Sequence, residues 1–139
     1  MSDKNIPEGF VLLDRNSPFS DLTGPYYEKQ NANGKHEVLG VRLRHEHLNK
    51  LRVAHGGTMM TIADNAFGDA ILAHFNKPVS FVTVSFSGEF LAAGKEGDWV
   101  EARVTINRAG RRLIFAKCAL TIDGKNVFNA SGVFSIIEK

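Results

Sequence analysis

The sequence predicts an α+β domain in which an antiparallel sheet of five or six strands wraps one long helix. Three observations point there. The stretch from His55 to His74 runs about five turns without proline and is rich in Ala, Met, Ile, Leu and Phe, the mark of a helix of roughly 18–20 residues. Apolar runs of β character, punctuated by Gly, Asn, Asp and Pro, lie on both sides of it. Those runs follow one another directly after the helix, so they form hairpins rather than strand–helix–strand crossovers.

The elements follow in order. Residues 1–9 are polar and read as a loose terminus. Phe10–Leu13 is a short apolar run, and Ser17–Pro25 is turn-rich with room for a short helix. We take residues 1–19 as an N-terminal arm that packs over a sheet edge or a ligand entrance. Pro25–Gln30 is a strand, Asn31–Gly34 a hairpin turn, and Glu37–Arg44 the partner strand. His45-Glu-His47 has a spacing that can bind a metal, but no third ligand is near in sequence, so a solvated strand end is expected and no metal.

Leu48–Ala54 feeds the helix, and Asn76-Lys-Pro78 breaks the chain after it. Val79–Leu91 alternates: Val82, Val84 and Phe86 point one way, Thr83, Ser85 and Ser87 the other. That is a half-buried strand with a hydroxyl-rich face, and Gly88 suggests a bend or bulge. Asp98–Asn107 is a strand with Trp99 or Val100, then Ala102, Val104 and Ile106, facing inward. Arg108–Arg112 is a tight basic turn, Leu113–Ile122 the next strand, Asp123-Gly124 a turn, and Val127–Ile137 closes the sheet.

Composition narrows the function classes. A chain of 139 residues suits one domain with a real core. A net charge of +2 is too small to argue for nucleic acid without a localised patch. The one cysteine, Cys118, has no internal disulfide partner and reads as an inert core residue. The start, Met1-Ser-Asp-Lys-Asn, lacks a signal-peptide apolar stretch. Asp64, Asn65 and Asp69 argue against the helix crossing a membrane. The expectation is a cytoplasmic protein with neither nucleic acid nor membrane as partner. No glycine-rich nucleotide motif is present.

The helix carries the chemistry. At about 100° per residue, Gly57, Met60, Thr61, Asp64, Gly68 and Ile71 share a face, with Thr58, Asn65 and Asp69 beside it. Met59, Ala63, Ala66, Phe67, Ala70 and Ala73 make the apolar remainder. A carboxylate on a face of small and apolar residues must be hydrogen-bonded, or its pKa rises. Either state suits a general base or a nucleophile; the plain alternative is a solvated Asp. Gly56 and Gly57 leave N–H groups at the positive end of the helix, where a backbone without side chains lets an oxyanion or a polarised carbonyl approach. Gly57 and Asp64 lie about 10 Å apart along the axis, and His55 points away from Asp64. Two copies of the helix running antiparallel across a two-fold axis would bring Gly57 of one opposite Asp64 of the other, so the spacing favours a site shared between subunits.

Asn49-(five residues)-His55-Gly56-Gly57-(six residues)-Asp64 resembles the signature of hotdog-fold acyl-CoA thioesterases. The likeness is strongest to the phenylacetate-degradation type within the 4-hydroxybenzoyl-CoA thioesterase superfamily, and it covers roughly residues 20–137. The resemblance implies a sheet wrapped round one helix, a homodimer or homotetramer, an acyl-CoA substrate and no cofactor. It implies that Asp64 acts as general base or nucleophile. The amide of Gly56 or Gly57, with the Asn49 side chain, would polarise the thioester carbonyl, while His55 shapes the turn. Thr83, with Ser85 as rival, would orient the attacking water. Arg108, Arg111 and Arg112 would hold the coenzyme A phosphates, unless they are only a solvated hairpin tip; Asn49 alone could equally be a loop-holding residue.

Two other functions compete. Hydration of an acyl thioester needs a paired acid and base, which the opposed His55 and Asp64 do not supply within one chain. A non-catalytic acyl-CoA-binding module would have no use for Asp64. Phe67, Phe75, Phe86, Phe90 and Met60 are candidates to line an acyl pocket, without choosing the acyl group.

Overall fold

The computed structural model describes residues 5–75 and 77–137. Seven strands form one antiparallel sheet: β1 (Val11–Leu13), β2 (Tyr26–Gln30), β3 (His36–Arg42), β4 (Ser80–Phe90), β5 (Trp99–Ala109), β6 (Leu113–Ile122) and β7 (Lys125–Ile137). Their order across the sheet is β1-β2-β3-β5-β6-β7-β4. A short helix, α1 (Pro18–Thr23), precedes β2, and the long helix, α2 (Gly56–His74), precedes β4. The six expected strands all form. The seventh is the arm's apolar run, which pairs with β2 through Val11↔Glu28 and Leu13↔Tyr26.

Helix α2 lies on the sheet's inner face through Met59, Ile62, Ala63, Ala66, Phe67 and Ile71. The alanines let its backbone come close. Phe67 then reaches into the sheet, with its ring 5.0 Å from that of Phe134 and 5.9 Å from that of Phe86. Gly132 makes the space, since a Cβ there would sit 2.8 Å from the Phe134 ring. Burying a side chain of this size stabilises the fold by about 2–3 kcal/mol. Its outer face, with Met60, Asp64 and Leu72, is exposed in this chain; Ile71, grouped with Asp64 by the helical spacing, belongs instead to the core face.

On β5 the inward residue is Val100, fully buried. Trp99 lies on the other face, edge-on to Phe10 at 5.1 Å and under the Arg42 guanidinium at 5.0 Å. Tyr27 also packs there, so the outer ring cluster ties the arm to the sheet.

His45–His47 is a single 3-10 turn rather than a strand end. His47 is buried. The Arg44 backbone N–H donates to its Nδ1 at 2.9 Å, so Nε2 carries the proton and donates to the Thr23 carbonyl at 2.6 Å. Both ring nitrogens are therefore taken by the backbone. Among the described residues no group of three His, Cys, Asp or Glu side chains could hold a metal ion.

Candidate active site

The sequence places Thr83 and Ser85 together on β4, facing away from Phe86. A bulge between Thr83 and Ser85 changes this. Thr83 pairs with Phe134 and Phe86 with Gly132, so Thr83 and Phe86 both turn towards α2 and Ser85 turns away. Val84 is the extra residue, and the pleat restarts after it. The Thr83 hydroxyl donates to Asp64 Oδ1 at 3.1 Å. Asp64 is thus hydrogen-bonded and also exposed, as the plain solvated alternative expected.

Asp64 and Thr83, with Met60, Thr61, Phe86 and Phe19, line a cavity of about 330 Å³. Asn65 lines it too, and its buried Nδ2 lies within hydrogen-bonding distance and angle of no acceptor among the described residues. The Asn65 side chain also acts on the Tyr26 hydroxyl, whose pKa is pushed up by burial and held back by Thr23 and Asn65. Of these residues the sequence singled out Asp64, Thr83, Phe86 and Met60 for a site or an acyl pocket. Phe19 was missed because a six-residue helix in an arm carries no local sign of what it covers.

The start of α2 is built by the preceding loop. Asn49 Oδ1 accepts from the N–H groups of Leu51 at 2.9 Å and Val53 at 3.3 Å, and the Asn49 N–H donates to the Val53 carbonyl at 2.8 Å. Its oxygen holds the loop, and only its NH₂ is left to meet a ligand. His55 is the N-cap: its Nδ1 accepts from the Gly57 N–H at 2.8 Å. The Gly57 amide, expected free for an oxyanion, is thus already engaged, as a Ser or Asp cap would engage it. The Gly56 N–H has no acceptor among the described residues. Close packing is a further reason for both glycines. A Cβ at Gly57 would lie 3.1 Å from His55 Nδ1, and one at Gly56 3.3 Å from the Phe90 ring.

The remaining candidates lie elsewhere. Gly56 sits by Phe90, Asp64 by Thr83, and Gly68 by Phe81, so α2 runs antiparallel to β4. Arg112 accepts through its carbonyl from the Ile136 N–H, and Ile136 is level with Phe81. The Arg108–Arg112 turn is therefore at the far end of the sheet from Gly56, roughly 30 Å along the strand. Arg108, Arg111 and Arg112 are exposed, and none has an ion-pair partner among the described residues. One chain brings Asp64 and Thr83 together and leaves the Gly-Gly turn and the arginines apart.

Asp69, one and a half turns beyond Asp64, is different. Arg15 Nη1 reaches both of its oxygens, 2.6 Å from Oδ1, and the side chains are only 15% and 14% exposed. Burial lifts the Asp69 carboxyl above the usual range, and Arg15 pulls it part of the way back. Cys118 is buried, its thiol pushed up to about 12 by burial, so it offers no thiolate nucleophile.

An antiparallel sheet wrapped round one long helix is the hotdog fold. Residues 51–128 match the family model described as the thioesterase superfamily, and the chain belongs to that family. It is 36% identical over 132 residues to "Putative esterase PA0474" of Pseudomonas aeruginosa, covering 95% of this chain and 98% of that one. Its backbone matches a structure of the phenylacetic acid degradation protein PaaI from Thermus thermophilus at a TM-score of 0.74 and 27% identity, covering 86% and 98% of the two chains. The BH2602 protein from Bacillus halodurans, solved with coenzyme A, shares the fold at a TM-score of 0.79 and 20% identity, covering 91% and 83%. Among the described residues no helix is long and apolar enough to cross a membrane.

Proposed function

We propose that the protein hydrolyses an acyl-CoA thioester to a free acid and coenzyme A, with Asp64 as the reacting carboxylate. The observation that carries this is the Thr83–Asp64 hydrogen bond at 3.1 Å beside an open cavity. The hydroxyl holds one carboxylate oxygen in place and leaves the other for chemistry. As general base, Asp64 takes a proton from a water as that water attacks the carbonyl carbon. The carbonyl electrons move to oxygen, where the Gly56 N–H stabilises them, and collapse expels the thiolate, which needs no strong acid to leave. As nucleophile, Asp64 attacks the carbonyl carbon directly and displaces the coenzyme A thiolate to form a mixed anhydride, which water then opens to the free acid and the restored carboxylate. Appearance of ¹⁸O in Asp64 after one turnover in labelled water would remove the general-base route as the sole one.

The active site is shared across a two-fold axis in this proposal. The outer edge of β4 pairs with no strand among the described residues, and its Val82 and Val84 are exposed. Such an edge invites pairing with another strand. An axis near Ser85 and Phe86 would pair β4 with its own copy. It would set the partner's Asp64 level with Gly88 and the partner's Arg112 level with Phe90, where Gly56 lies. Base, carbonyl donor and phosphate-binding arginines then meet at one place. A pair of dimers would make the tetramer, and no cofactor is needed.

The test is free-thiol release across a panel of acyl-CoAs by native protein and Asp64→Asn. Native protein releases thiol from at least one, and the variant loses at least about 10²-fold in kcat/KM, the low end for a positioned acid–base group. A native protein that binds acyl-CoA without releasing thiol would instead be a binding module.

A further inference from the structure

We infer that Phe19 is the acyl-size determinant of this site: it walls the Asp64 cavity off from a second cavity and confines the protein to short or single-ring acyl groups. The inference rests on the thioester reading above and names the substrate class of that same site.

Helix α1 has six residues, far too few to be stable alone. Ser17 caps it through its hydroxyl, which accepts from the Ser20 N–H at 3.2 Å. Arg15 bonds the Ser20 hydroxyl at 3.1 Å and pairs with Asp69 on α2. At its other end, Arg44 donates to the carbonyls of Leu22 at 3.2 Å and Gly24 at 2.8 Å, and His47 donates to that of Thr23. Three separate elements thus tie down one short turn of helix. Yet that turn presents a phenylalanine that is 57% exposed and joins none of the ring contacts among the described residues.

The cavities give this side chain its use. Phe19 and Thr61 line both the 330 Å³ cavity at Asp64 and a neighbouring one of about 280 Å³ at Gly57, Thr58 and His55. Phe19 of α1, Met60 of α2 and Phe86 of β4 line the first cavity together. The first cavity is at the small end of the range for small-molecule pockets, about 300–1,000 Å³. It suits a short chain or one ring. Removing the Phe19 ring joins the two cavities and roughly doubles the space, enough for a long chain. The ring makes no hydrogen bond, and its residue's carbonyl accepts from Thr23 whatever the side chain, so the seat of α1 survives the change.

The experiment measures binding of non-hydrolysable thioether analogues of butyryl-, phenylacetyl- and dodecanoyl-CoA by calorimetry, and kcat/KM on the matching thioesters. Native protein favours the two small groups over dodecanoyl by at least about tenfold, Phe19→Ala removes most of that ratio through KM, and Phe19→Leu restores part of it. A ratio in Phe19→Ala within about twofold of native overturns the inference, as does native protein that binds dodecanoyl as tightly as butyryl. If the binding ratio moves while no thioester releases thiol, the inference stands and the hydrolytic reading falls. If thiol is released and the ratio does not move, the reverse holds. Binding of none of the analogues overturns both.

Discussion

Asp64 and Asp69 sit five residues apart on one helix and are held in opposite ways. Asp64 is exposed and receives one hydrogen bond, from Thr83. Asp69 is half-buried and has both oxygens engaged by Arg15. The difference teaches that a carboxylate's availability for chemistry is decided by what its neighbours leave unengaged. Asp69 joins the arm to the core helix. Asp64 is held at one oxygen and open at the other, as a base or nucleophile requires.

The contrast can be broken from either side. The largest effect is expected at the part-buried Arg15–Asp69 pair. Arg15→Ala leaves Asp69 without its cation in a desolvated place and should cost about 3 kcal/mol, read as a lower urea midpoint. Asp64 chemistry should persist wherever the variant is folded. Thr83→Ala removes the one hydrogen bond that orients Asp64. Losing that orientation should lower kcat by at least about tenfold, while at this exposed position the urea midpoint changes little. An unchanged kcat would mean that Thr83 does not position the base. His55→Ala removes the N-cap acceptor and should cost about 1 kcal/mol in the same unfolding measurement.

The smallest effect is a pH dependence at His47. Burial first, and then the Arg44 charge, lowers its pKa below the ordinary value of 6.5. The unfolded chain therefore takes up this proton at a higher pH than the folded one. Stability is complete above the ordinary histidine range and falls as pH drops through it towards the folded value. His47→Gln should show a shallower acid slope than native protein; an equal slope would place the titration elsewhere.

Helix α2 was readable because nineteen residues of local pattern mark it, and the six long strands because each alternates between turn residues. The Asp64–Thr83 pairing was also within reach, since the resemblance placed a hydroxyl on the following strand. What stayed hidden depends on contacts distant in sequence or on single-residue irregularities. Nothing in Phe81–Phe86 marks Val84 as a bulge, yet that one residue decides whether Thr83 or Ser85 faces the helix. Arg15 lies fifty-four residues from Asp69, and no local rule pairs them. The Gly57 amide looked free because none of the usual capping residues, Ser, Thr, Asp or Asn, directly precedes the helix, whereas here the His55 imidazole caps it. The pattern left Trp99 and Val100 both open as the inward residue; Val100 is the one that faces in, and Trp99 joins Phe10 and Tyr27 on the other face.

One side-by-side measurement tests the division of labour directly: Asp64→Asn and Asp69→Asn, each assayed for thiol release and for urea unfolding. Asp64→Asn should lose at least about 10²-fold in kcat/KM and keep the native midpoint. Asp69→Asn should lower the midpoint and stay within a few-fold of native turnover while folded. An active Asp64→Asn protein, or an inactive Asp69→Asn protein with native stability, would contradict the account.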